Sequence, residues 1–156
     1  IVSIADMSQS SNKKRLYIID LDHLQVLFQT YVAHGRNSGE EFAESFSNQP
    51  SSYKSSLGFY TTLDTYYGDH GLSLRLKGEE TGFNNNAFDR AIVMHGAEYV
   101  DADFIRENGR LGRSQGCPAI PAAECSAIVN ILKNGSCLFL YFPDKNYLSG
   151  SSLLND

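Results

Sequence analysis

Only one stretch of this chain, Pro121 to Lys133, repeats its apolar residues on a single helical face; every other apolar run is of strand length and interrupted by Gly, Ser, Asn or Asp. Pro121 fits a first helical position, Ile128, Val129 and Leu132 recur on one side together with Cys125, and Asn134-Gly135 closes the run. Many short strands and one main helix can bury their apolar faces only by folding a sheet on itself with the helix against it. The expected fold is therefore mainly β, a sandwich or partly closed barrel with helix 121–133 packed at one side and short helical turns elsewhere.

Taken in order, Ile1 to Met7 reads as a short strand, and Arg15 to Leu21 and Leu24 to Ala33 read as a hairpin across Asp22-His23. His34 to Gly39 then leaves as a loop, with His34 expected to face solvent. Glu40 to Ser47 supports a helical turn or two at most, and Asn48 to Ser56 is loop by its Ser, Asn and Pro content. Strands resume over Leu57 to Thr65 and Leu72 to Leu76, separated by the polar knot Tyr66 to Gly71. Ala91 to Met94, too short for a helix, reads as a buried strand, and Cys137 to Phe142 as another. Asp101 and Asp103 before Phe104-Ile105-Arg106 predict a short helix with acid at its positive end. Asn146 to Asp156 is expected to be a loose tail.

With 156 residues, 42% hydrophobic and 20% charged, the chain suits one globular domain over 1–156. The net charge of −5 and scattered basic residues argue against a nucleic-acid surface. No apolar run approaches the roughly 20 residues of a membrane span. Because it starts at Ile1, the chain is expected to be a trimmed piece of a longer secreted precursor. Cys125 and Cys137 read as core thiols, with a bridge between them disfavoured. No metal is expected, since no CxxC pair exists and the four histidines lack ligand spacing, and no cofactor is expected either.

The chemistry-bearing residues lie between Ala91 and Pro121. His95-Gly96 follows the apolar run, and Cys117 sits 22 positions beyond His95 in Ser114-Gln115-Gly116-Cys117-Pro118. Gly116 permits a tight turn and Pro118 biases Cys117 toward extended backbone. A thiol is a weak nucleophile until deprotonated, and an imidazole within reach can take its proton. In this reading His95 is the base, the carbonyl of Gly96 or a neighbour fixes its tautomer, and the amides of Gln115, Gly116 and Cys117 face a developing oxyanion. The same residues would also suit a packed thiol beside a hydrogen-bonded histidine. Arg113 is the candidate partner for a substrate carboxylate, with Ser114 beside it, or else a surface charge. Tyr67 and His70 either line a groove or belong to an ordinary hairpin loop.

His95-Gly96 followed after 18 residues by Ser114-Gln115-Gly116-Cys117 resembles the signature of the YkuD-type L,D-transpeptidases, which is a histidine, a spacer, then Ser or Thr, His, Gly, Cys. Gln115 stands where that family usually has a second histidine, and the spacer is slightly longer than usual. From about Arg15 to Tyr147 the chain resembles the murein L,D-transpeptidase catalytic domain, including Val32-Ala33-His34-Gly35, Ser56-Leu57-Gly58-Phe59-Tyr60 and Tyr67-Gly68-Asp69-His70-Gly71. The resemblance implies a β-sandwich in the bacterial periplasm or cell envelope. It further implies a cysteine enzyme that forms a thioester on a peptidoglycan tetrapeptide stem and releases D-alanine. An L,D-carboxypeptidase acting on the same stem, or a non-catalytic cell-wall-binding sandwich, is the alternative.

Overall fold

The computed structural model describes residues 1–155. Its strands are β1 (Val2–Asp6), β2 (Leu16–Asp20), β3 (Gln25–Thr30), β4 (Gly58–Gly68), β5 (Gly71–Gly78), β6 (Val93–Ala97), β7 (Ala119–Pro121) and β8 (Cys137–Tyr141). They form one sheet in the order β3-β2-β1-β8-β4-β5-β6-β7. Beyond β3 the chain returns to the opposite edge: Ala33 bridges to Ala119 of β7, and Gly35 to Ser114. The sheet thus curls into the mainly β, nearly closed barrel that the spacing of apolar runs predicts.

Three helices complete the fold, α1 (Ala102–Asn108), α2 (Cys125–Leu132) and α3 (Lys145–Gly150). On α2 the residues Cys125, Ile128, Val129 and Leu132 are buried, and they share one core with Leu16, Ile18, Leu74, Leu76, Met94, Leu138 and Leu140 from the strands. That shared burial is what the helical stripe encodes. α1 starts at Asp101, whose side chain accepts from the Phe104 N–H, and ends at Gly109 in the left-handed conformation.

Several local expectations change. Pro121 ends β7 rather than opening the helix, and a 3-10 turn, Ala122–Glu124, precedes α2. A proline can close a strand as well as start a helix, because both tolerate its fixed φ. Glu40 to Ser47 holds no helical turn. The polar knot at Tyr66–Gly71 is mostly strand: Gly68 pairs with Gly71, leaving Asp69-His70 as a two-residue turn. The strand expected at Ala91–Met94 lies two residues later, so His95 sits within β6. The tail expected from Asn146 onward contains most of α3, capped by Asp144 and anchored by Tyr147, which is 1% exposed. Asp156 lies outside the described residues.

Candidate active site

His95 is held by the register of the sheet. On β6 it lies opposite Ser73 of β5 and Ala119 of β7, and it is buried. Its Nδ1 is 2.9 Å from the Gly96 carbonyl oxygen, which accepts only if Nδ1 carries the proton, so Nε2 keeps the lone pair. Burial lowers the imidazole pKa against the pull of that carbonyl, and His70 adds to the lowering. The neutral, proton-accepting form of His95 is favoured. Gly96 itself has no room for a side chain, since a Cβ would lie 3.0 Å from the Cβ of Cys125 and 3.1 Å from the Cα of Ala122.

Cys117 lies two residues before β7, opposite the start of β6. Its half-buried sulfur accepts from the Val93 N–H at 3.4 Å and is 3.7 Å from the Ala91 carbonyl. Burial raises the thiol pKa, while the Val93 N–H and the Arg90 charge work in the opposite direction. The resting sulfur is therefore a thiol, which would have to lose its proton to act as a nucleophile.

The turn that carries Cys117 is tied by Ser114, whose hydroxyl donates to the Cys117 carbonyl at 2.6 Å and accepts from the Gly116 N–H at 3.1 Å. Gly116 adopts φ 119, a conformation suited to glycine. With the Gly116 N–H committed to Ser114, that amide is not free for an oxyanion, contrary to the expectation for all three. Among the described residues the N–H groups of Gln115 and Cys117 have no hydrogen-bond acceptor. Ser114 is buried, knits the turn and also lies in the lining of the groove that holds Cys117 and His95.

Cys117 and His95 open onto one groove of about 1050 Å³, whose lining also includes Gln115, Arg113, His70, Tyr66, Tyr53, Arg36 and Arg90. The His70 ring stacks on the His95 ring with centroids 4.2 Å apart. Tyr67 is absent from the lining and 83% exposed, because alternation along β4 turns it away and brings in Tyr66 instead. Arg113 reaches the groove but spends Nη1 on the carbonyls of Arg36 and Gly39 and pairs with Glu40.

His34 does not face solvent. It is 1% exposed, with Nδ1 2.9 Å from the buried Arg15 guanidinium and Nε2 against the carbonyls of Gly39 and Glu40. Its own carbonyl accepts from the Ser114 N–H, so the loop after β3 grips the turn that carries Cys117 directly. Arg36, Tyr53 and Arg90 escaped sequence reading because their loops have no periodicity. The signal that could have found them is the serine-rich run Ser47 to Ser56, whose hydroxyls and carbonyls hold Arg90.

Cys117, Cys125 and Cys137 are all free thiols. Among the described residues no three His, Cys, Asp or Glu side chains converge as a metal site, and no helix is long and apolar enough to cross a membrane.

Solved structures share this architecture. An L,D-transpeptidase from Mycobacterium smegmatis superposes with a TM-score of 0.56 at 11% identity, covering 90% of this chain and 58% of that one. The helical cell shape determining protein Pgp2 from Campylobacter jejuni gives 0.58 at 12% identity, covering 92% and 48%. L,D-transpeptidase 3 from Mycobacterium tuberculosis gives 0.52 at 14% identity, covering 90% and 60%. The chain thus spans less than two thirds of each of these proteins. No curated protein matches its sequence. The sequence itself matches the L,D-transpeptidase catalytic domain over residues 1–141, which takes in β1 through β8 with both His95 and Cys117. On that match, and with a barrel that brings the two residues to one groove, the chain belongs to the L,D-transpeptidase catalytic domain family.

Proposed function

We propose that this domain is a peptidoglycan L,D-transpeptidase of the bacterial cell envelope, with Cys117 as nucleophile and His95 as general base and acid. The observation that carries the reading is His95 held as the Nδ1–H tautomer by the Gly96 carbonyl, in the same groove as Cys117. Cys117 loses its proton to His95 Nε2 as sulfur attacks the carbonyl of the third residue of a tetrapeptide stem. The N–H groups of Gln115 and Cys117 are the donors for the resulting oxyanion. Collapse breaks the C–N bond, and His95 returns the proton to the departing D-alanine amine, leaving a thioester. An amine from a second stem gives its proton to His95, forms the new amide bond and expels the sulfur, which recovers the proton.

Incubation with purified tetrapeptide muropeptides, followed by mass spectrometry of the products, tests this. The expected products are cross-linked dimers with loss of D-alanine, absent with Cys117→Ala and with His95→Ala. Tripeptides without dimers would assign a carboxypeptidase, and unchanged tetrapeptide would sink the enzyme reading.

A further inference from the structure

Three guanidinium groups line the groove, and their hydrogen bonds separate them. Arg90 has both terminal nitrogens engaged: Nη1 donates to the Ser47 carbonyl and the Ser56 hydroxyl, and Nη2 to the Ser52 hydroxyl and the Lys54 carbonyl. It staples the loop 47–56 to the groove floor. Arg113 is held by the Arg36 and Gly39 carbonyls and by Glu40, 3.5 Å away. Arg36 differs from both. Among the described residues its guanidinium forms no hydrogen bond or ion pair, and it lies over the Tyr53 ring, 4.2 Å from the centroid.

That contact holds the guanidinium over the ring while its N–H groups stay without a partner among the described residues, which cuts the entropy lost when an anion binds. The base of the side chain is equally fixed. The Arg36 N–H donates to the Ser114 carbonyl at 2.8 Å, and Gly35 packs so closely that a Cβ there would lie 3.1 Å from the Gly116 Cα. Arg36 therefore rises from a backbone bolted to the nucleophile turn. A stem seated on Cys117 carries its terminal carboxylate only one residue beyond the scissile carbonyl, about 3.5 Å of extended chain. A carboxylate at the end of the third residue's side chain, where the stem has one, lies further from that carbonyl, at the end of a long flexible arm.

We propose that Arg36, held over the Tyr53 ring, is the carboxylate-binding residue of the donor site, the role that position alone suggests for Arg113. The assignment rests on the transpeptidase reading. A carboxylate held equally before and during attack lowers KM without changing kcat, so its loss has a defined kinetic signature.

The test crosses two proteins with three peptides: the parent and Arg36→Gln, each with the tetrapeptide, its C-terminal amide, and a tetrapeptide with lysine as third residue. Arg36 is exposed, so the variant is expected to melt with the parent. Against the tetrapeptide, Arg36→Gln is expected to raise KM by roughly 10- to 100-fold with kcat nearly unchanged, the loss of a charge-assisted bidentate contact. Arg36→Lys recovers part of the loss, and Tyr53→Leu, which removes the platform but keeps the charge, loses less than Arg36→Gln. For the peptide that lacks the bound carboxylate the Arg36→Gln penalty disappears, and the peptide for which it disappears names the carboxylate. An equal penalty on all three peptides, or a fall in kcat alone, overturns the assignment while leaving the transpeptidase reading intact. No turnover of any peptide by the parent overturns both.

Discussion

Arg15 carries its charge into the interior without an ion pair among the described residues, although the Asp6 charge offsets part of the cost of its burial. It is 0% exposed, and its guanidinium donates to the Val32 carbonyl through Nε at 3.0 Å and Nη2 at 2.7 Å, to the Gln9 carbonyl at 3.0 Å, and to His34 Nδ1. Burial lowers its pKa to about 10, which still leaves it charged at neutral pH. His34 can accept from Arg15 only while neutral, so burial and the Arg15 charge push its pKa down from 6.5 to about 4. Arg113 acts in the same direction, and the Gly39 and Glu40 carbonyls oppose it. The folded state thus holds its proton less tightly than the unfolded chain. Stability from this site is complete above pH 6.5 and is lost as pH falls through 4, an amount of about 3 kcal/mol. Urea denaturation at pH 7, 5.5 and 4 should show His34→Gln less stable than the parent at pH 7 but losing about 3 kcal/mol less on acidification. Equal pH slopes would remove His34 from the account. At this scale the sequence exposed Cys117, His95 and Gly96, whose neighbours in the chain shape them. It concealed His34, whose environment is a guanidinium 19 residues away.

Elements were legible where their own residues pay for them. Alternation exposed β5 and the stripe exposed α2, but β7 lay unread just before an apparent helix start at Pro121, its own last residue, and α3 was invisible. The sequence of α3, KNYLSG, buries only Tyr147, so no periodicity announces it. Its anchor is Glu80, a carboxylate only 4% exposed and 67 residues from Tyr147 in the chain. Glu80 accepts from the Tyr147 hydroxyl at 2.6 Å, the Phe59 N–H at 2.9 Å and the Ser151 hydroxyl. Removing such an acceptor leaves several buried donors unpaired, each costing about 1–3 kcal/mol. Glu80→Ala should therefore destabilise by about 3–5 kcal/mol, whereas Tyr147→Phe, which deletes one bond to a charged group, should lose about 1.5–3 kcal/mol. Chemical denaturation of both variants measures this. A Tyr147→Phe loss as large as that of Glu80→Ala would mean that the helix, not the carboxylate, holds the C-terminal segment.

Across the whole molecule the sheet has two seams. The meander β1-β2-β3 joins the remainder through β8, which pairs parallel with β1 from Val2↔Cys137 to Asp6↔Tyr141 and antiparallel with β4 from Gly58↔Leu140 to Thr61↔Cys137. The second seam is the pair of bridges Ala33↔Ala119 and Gly35↔Ser114. The turn that carries Cys117 sits on that second seam, so the candidate site is complete only when the first and last strands of the sheet have both found their places. Folding and assembly of the groove are then one event, and a defect at the first seam should be felt at the second. Leu140, 1% exposed on β8, tests this. Leu140→Ala should cost about 2–5 kcal/mol as a core truncation. Cys125 lies on α2, away from that seam, with its sulfur 3.6 Å from the Leu72 carbonyl. In a urea titration of the variant, loss of far-ultraviolet circular dichroism and alkylation of Cys125, read by peptide mass, should share one midpoint, as two-state unfolding requires. If the dichroism falls first while Cys125 stays protected, the meander unfolds alone and the β4–β7 half stands without it. The groove would then lose Arg36 and its grip on Ser114 before the core around His95 gives way.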